Sequence, residues 1–150
     1  MSEPVTVDIA ELLPHAAPMI LLDRAVAGDD EHFVAAVTIR RDSPFCDGEQ
    51  VGAWVGLEYM AQAIAAWAGW KAYRRSQRAK PGLLLGCRRY QSAWPAFPVG
   101  TELRVEVVVE LEGENGLGSF RCHLEHAQET VASATVTVFQ PADIEVFLDS

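Results

Sequence analysis

QVGAWVGLEYMAQAIAAWAGWKAYRR, residues 50–75, is the stretch around which the rest of the chain is organised. From 51 to 73 it contains no proline and is rich in Ala, Leu, Met and Gln, which predicts a helix of about six turns. Apolar residues occupy nearly every face, the pattern of a helix enclosed on all sides. It is not a membrane span, because Glu58 and Gln62 lie inside it and Lys71, Arg74 and Arg75 crowd its end. Something must wrap it.

The wrapping is read on either side. Residues 8–13 form a short helix that Pro14 should end. Residues 19–26, broken by Asp23 and Arg24, read as a strand, and HFVAAVTIR at 32–40 as another. Residues 41–48 are a loop leading to the central helix. Beyond the helix, 83–90 regains strand composition and TELRVEVVVELE at 101–112 alternates polar with apolar. Asn115-Gly116 signals a hairpin, and 119–127 and 130–139 complete a meander. The count is five or six mostly antiparallel strands and one long helix. This predicts a single α+β domain over residues 1–150, a curved antiparallel sheet wrapped around one long central helix. Its edge, if unprotected, pairs with another chain.

Composition narrows the function. A chain of 150 residues, 49% hydrophobic, can bury a real core as one domain. A net charge of −9 argues against nucleic acid or an anionic membrane as partner. The first residues carry acids where a secretory signal would carry bases, which predicts a cytoplasmic protein. Cys46, Cys87 and Cys122 are too widely spaced for a disulfide framework or a metal cage, so neither metal nor cofactor is expected. Residues 71–89 hold seven bases (Lys71, Arg74, Arg75, Arg78, Lys80, Arg88, Arg89) and no acid. Such a run is either a docking patch for an anionic partner or, up to Arg78, a solvated helix end whose cations suit the dipole.

Glu58 is the anomaly in the helix. A carboxylate one turn from Trp54, Val55 and Ala61 is expected to lose hydration, which raises a carboxyl pKa, and Gln62 at i+4 is placed to hydrogen-bond it. That is the state general acid–base chemistry uses. Alternatively Glu58 points into a solvated gap or pairs with a base from elsewhere.

Three stretches resemble the hotdog-fold 3-hydroxyacyl-acyl carrier protein dehydratases. LLPHAAPMILLDRAV at 12–26 is similar to that family's LPHRYPFLLVDRV motif, LEYMAQA at 57–63 to its E-A-x-A-Q helix segment, and RRYQSAWPAFPVGTELRVE at 88–106 to its KARFKRPVVPGDQLRLEVE segment. The resemblance implies a hotdog dimer with sites at the subunit interface and an acyl thioester carried on phosphopantetheine. It places Glu58 on the family's acidic catalytic residue and Gln62 on the glutamine one turn later. It also gives Lys71, Arg74, Arg75, Arg78, Arg88 and Arg89 an acidic acyl carrier protein as partner.

One feature of the family is missing. Its catalytic histidine sits in a loop of the form HFPGxPxMPG, fourteen residues before the acid; here Pro44 occupies that position and the loop, CDGEQVGAWVGLE after Phe45, is about five residues shorter. Glu58 can serve as the acid, with the amides around Gly48 and Gly52, beside Trp54, polarising the thioester carbonyl. A base is then required. His32 opens a strand, and His123 and His126, three apart on one strand, point to opposite faces and share no metal. His15, in the LPH motif, remains as the candidate base, the alternative being that it fixes the N-terminal turn. Cys46 and Asp47 are weaker candidates. The departure resembles the dehydratase-like proteins of aryl-polyene gene clusters, which implies a heterodimeric hotdog partner. Three functions follow: a dehydratase, a non-catalytic partner subunit, or a hotdog thioesterase.

Overall fold

The computed structural model describes residues 2–13, 19–75, 83–113 and 116–139. In chain order its elements are β1 (Glu3–Pro4), α1 (Ile9–Leu12), β2 (Arg24–Gly28), β3 (His32–Thr38), β4 (Gln50–Gly52), a 3-10 turn (Ala53–Val55), α2 (Gly56–Arg74), β5 (Leu83–Ser92), β6 (Ala96–Pro98), β7 (Glu102–Glu112), β8 (Leu117–His126) and β9 (Glu129–Phe139). Seven strands form one antiparallel sheet in the order β1-β2-β3-β7-β8-β9-β5, and β4 pairs with β6 in a separate ribbon. The sheet curls around α2, which is the hotdog fold.

Alternation decides which face of each strand meets the helix. Leu103, Val105 and Val107 of β7 are buried, as are Phe120, Cys122 and Leu124 of β8, while Arg104 and Arg121 between them are exposed. On the helix, Trp67 packs edge-on against Phe120 at 5.5 Å and Trp70 lies 6.1 Å from Phe33. The Trp67 indole donates to the Asp29 carbonyl at 3.0 Å, tying the β2–β3 turn to the helix. Asp8 caps α1 by accepting from the Ala10 amide, and the carbonyl of Leu12 sits where a side chain at Gly69 would project. No other residue fits there without moving a backbone.

The central helix starts later than the sequence suggests. Residues 50–52 pair in register with 98–96, because Val51, wholly buried, lies opposite Phe97; only after the 3-10 turn does α2 begin. Residues 19–23 are not a strand. Their backbone groups go elsewhere: Gln62 takes Met19 and Leu21, and the Asp23 amide donates to Ala36. Strands β1, β4 and β6, two or three residues each, were too short to register as periodicity. Asn115 lies outside the described residues, but Gly116 beside it has φ +87° and its amide donates to Gly113, as a tight hairpin requires.

Nor is α2 enclosed on every side. Leu57, Ala61, Ala65, Ala68 and Ala72 form a half-buried stripe at helical spacing, with exposed Glu58 at its start. This is the face the chain's own sheet leaves uncovered. No helix among the described residues is long and apolar enough to cross a membrane.

Candidate active site

The first turn of α2 is where a strand, a 3-10 turn and a helix meet. Gly52 precedes the turn and Val55 precedes α2, and neither contributes a side-chain cap, so amides at this end are left to other partners. Glu58 projects from the first turn of α2, exposed to solvent. This corrects the expectation of burial: its own chain does not desolvate it. Trp54, one turn earlier, is 61% exposed and meets Phe45 edge-on at 5.3 Å. Phe45 is itself 55% exposed and held at φ +68°, a conformation costly for an aromatic residue. Two large rings are thus displayed beside a carboxylate, and Phe45 carried no sequence signal beyond the loop in which it stands.

Gln62 does not hydrogen-bond Glu58. Its side chain is buried, with Oε1 accepting from the Leu21 amide at 2.9 Å and Nε2 donating to the Met19 carbonyl at 2.6 Å. Both ends of the amide are therefore spent on backbone, which removes Gln62 from the residues that contact substrate. Gly48 has φ +103°, but the loop around it is not an open cradle of amides. Asp47 Oδ1 accepts from the amides of Glu49 and Gln50, both at 2.9 Å, and these bonds hold the Asp47 carboxyl below the usual range. The Ala53 amide goes to the Pro95 carbonyl. Of the amides in this region, those of Glu49, Gln50 and Ala53 are therefore already engaged.

Behind this turn stand two tyrosines. Tyr90 of β5 donates its hydroxyl to the Ala53 carbonyl, and Gly56 is the residue that leaves room for it. Tyr59, adjacent to Glu58 but directed into the core, has its phenol pushed up to about 12, first by burial and then by the nearby Asp23 charge. It stays protonated at neutral pH.

His15 lies outside the described residues, as do Arg78 and Lys80. The other histidines are accounted for: His32 meets Ser2 Oγ at 2.9 Å and Glu106 at 3.2 Å, and His126 meets the Glu102 carbonyl at 3.0 Å. His123 faces Glu106 and Ser133 across the ladder, with a buried Nδ1 that has no hydrogen-bond partner among the described residues. No group of His, Cys, Asp and Glu among the described residues is arranged to hold a metal.

Among the described bases of the run, two are already engaged within the chain. Lys71 lies 3.8 Å over the Trp67 ring and 3.6 Å from Glu112; Arg74 lies 4.8 Å over Trp70 and 3.2 Å from Glu3. Arg75 and Arg89 are exposed and have no ion pair with another described residue, while only the backbone of Arg88 is described, in β5. Arg89, at φ +56° in a ladder irregularity, adjoins Tyr90 and so lies toward the start of α2. Arg75 closes its far end, about 28 Å away along a helix of 19 residues.

Comparison with known proteins fits this geometry. The family described as ApeP-like, ApeP dehydratase, matches residues 7–149. The solved dehydratase heterocomplex ApeI:P from Xenorhabdus doucetiae contains a chain 30% identical, with a TM-score of 0.86, and the match covers 96% of this chain and 97% of that one. A 3-hydroxyacyl-[acyl-carrier-protein] dehydratase FabZ from Streptococcus uberis is 44% identical over 41 residues, 27% of this chain; the chain spans 29% of the length of that curated relative. An uncharacterised protein from Pyrococcus horikoshii, 8% identical, shares the fold with a TM-score of 0.65 over 92% of this chain and 97% of its own.

Proposed function

The chain belongs to the ApeP-like dehydratase family, and from that premise we propose that it acts on 3-hydroxyacyl thioesters delivered by an acyl carrier protein, removing water to leave the enoyl thioester. The observation that carries the reading is the exposed Glu58 carboxylate on the first turn of α2, at a helix start without a side-chain cap and beside Trp54. Elimination needs an acid for the leaving hydroxyl, which Glu58 supplies when protonated, and donors for the thioester carbonyl, which amides of this turn can provide. The base that takes the α proton is His15, in the segment between α1 and Met19, or a residue of a second subunit.

A second subunit is favoured by a specific feature. Glu58, Trp54 and Phe45 are exposed and the alanine stripe of α2 half-buried in the single chain, and among the described residues edge strand β5 pairs only with β9. A site so open would not exclude water. We assign the cover to a second hotdog chain, and the relative in Xenorhabdus doucetiae is itself part of a heterocomplex. Under this reading the chain works in a dimer and contributes Glu58 to a shared site.

The deciding experiment incubates the protein, alone and with a second hotdog dehydratase, with 3-hydroxyacyl and with saturated acyl thioesters. Enoyl product is the expected result. Free thiol from the saturated substrate would make it a thioesterase; activity only in the mixture would be a shared site if Glu58→Gln abolishes it, and would make the chain a non-catalytic partner if Glu58→Gln leaves it intact.

A further inference from the structure

We infer that Gln62 is a positioning residue that fixes the wall of the site beside Glu58. The inference rests on the dehydratase reading above and adds to it a role for a side chain that touches no substrate.

Gln62 lies one turn beyond Glu58 on α2, and its amide bridges two backbone groups of one segment, the Met19 carbonyl and the Leu21 amide. An amide side chain presents a donor and an acceptor at once; an ionised carboxylate presents two acceptors and an alanine neither. Buried to 6% exposure, the bridge replaces backbone bonds that residues 19–21 do not make with any strand. The segment is consequently anchored at two heights on α2. The Leu12 carbonyl rests at Gly69, and Met19 and Leu21 are held at Gln62. Beyond the second anchor, just before β2, Asp23 accepts from the Thr38 amide at 2.7 Å and binds Arg40 at 3.0 Å.

What this holds in place is an apolar surface. Met19 is 61% exposed at the height of Gln62, and Trp54 is 61% exposed one turn on the other side of Glu58. Two exposed apolar residues are thus tied to the turns of α2 on either side of Glu58, Trp54 by the helix start and Met19 through its carbonyl bond to Gln62. If the bridge is lost, Glu58 keeps its place on α2 while the Met19 wall shifts. A displacement of about 1 Å in such a wall costs a reaction roughly a hundredfold in rate without removing a catalytic group.

The test compares Gln62→Ala and Gln62→Glu with the wild-type assembly that turns over 3-hydroxyacyl thioesters. Two readouts are needed: amide hydrogen exchange at Leu21, and kcat and KM across pH. The expected result is faster exchange at Leu21 in both variants, with kcat down by roughly a hundredfold and KM little changed. Gln62→Glu should also recover part of its rate at low pH, where the introduced carboxyl is protonated and can again donate to Met19. A merely stabilising role would not produce that recovery. Unchanged exchange at Leu21 would show that the bridge is not formed. Faster exchange with normal kcat, or a KM increase with kcat intact, would overturn the positioning role. Absence of turnover in every wild-type assembly would be seen before any variant is made; it would refute the dehydratase reading and leave the bridge without a catalytic role.

Discussion

The hydroxyl of Tyr90 donates to the backbone carbonyl of Ala53, tying edge strand β5 to the turn from which α2 begins. The Ala53 carbonyl also receives the Gly56 amide, so it is not orphaned when the phenol is removed. Tyr90→Phe should therefore cost about 1 kcal/mol in denaturant unfolding, the net worth of one hydrogen bond. Gly56→Ala should cost more, because its methyl group would meet the Tyr90 hydroxyl and the Leu124 side chain. A Gly56→Ala protein as stable as wild type would mean that Tyr90 does not occupy that position.

Glu58→Gln separates chemistry from architecture. The side chain is exposed and has no ion pair with a described residue, so the amide should change stability by less than about 0.5 kcal/mol. Turnover, in contrast, should fall by 10²–10⁴-fold, roughly the range of a lost general acid. Circular dichroism and enoyl formation on the same preparation check the two halves. Normal turnover would place the acid elsewhere.

Alkaline pH should destabilise the fold through Tyr59. In the unfolded chain a tyrosine loses its proton near 10, whereas in the folded protein burial holds the phenol to about 12. Between those values the unfolded state binds fewer protons, so stability falls as pH rises through the window and is complete below it. Tyr59→Phe should flatten that fall in urea melts between about pH 10 and 12. A slope identical to wild type would assign the alkaline loss to other groups.

Most of the fold was legible because it rests on periodicity. Alternation in β7, the hairpin signal that leads into β8 and β9, and the long proline-free helix are read directly from the sequence. Where side chains replace backbone partners, spacing carries no signal. Residues 19–23 are apolar enough for a strand, yet Gln62, forty residues away, takes the Leu21 amide and the Met19 carbonyl. The candidate site divides the same way. Glu58 was visible as a charge among apolar residues, but its exposure depends on which stripe of α2 the sheet leaves open. The loop around Gly48 suggests amides for a carbonyl, whereas the short-range reach of Asp47 occupies two of them, those of Glu49 and Gln50. His15 stays a proposal, outside the described residues.

The positive charges offer the last prediction, because the structure separates two groups that the sequence joins. Lys71 and Arg74 already neutralise Glu112 and Glu3 and lie on tryptophan rings, so reversing either to Glu should lower stability by setting like charges together. Loss of carrier binding in those variants would be ambiguous. Arg89, on β5 toward the start of α2, and Arg75, at the far end of α2, are cleaner probes because both are exposed. A carrier that delivers its acyl chain to the first turn of α2 must dock near that end. Arg89→Glu is expected to weaken binding on the order of tenfold at low salt and to flatten its dependence on ionic strength. Arg75→Glu should have the smaller effect, since about 28 Å of helix exceeds the screening length of about 10 Å at 0.1 M salt. Titrating acyl carrier protein against both variants at several salt concentrations decides it. Equal losses would restore a single extended patch, and loss confined to Arg75→Glu would put the carrier at the far end of the helix.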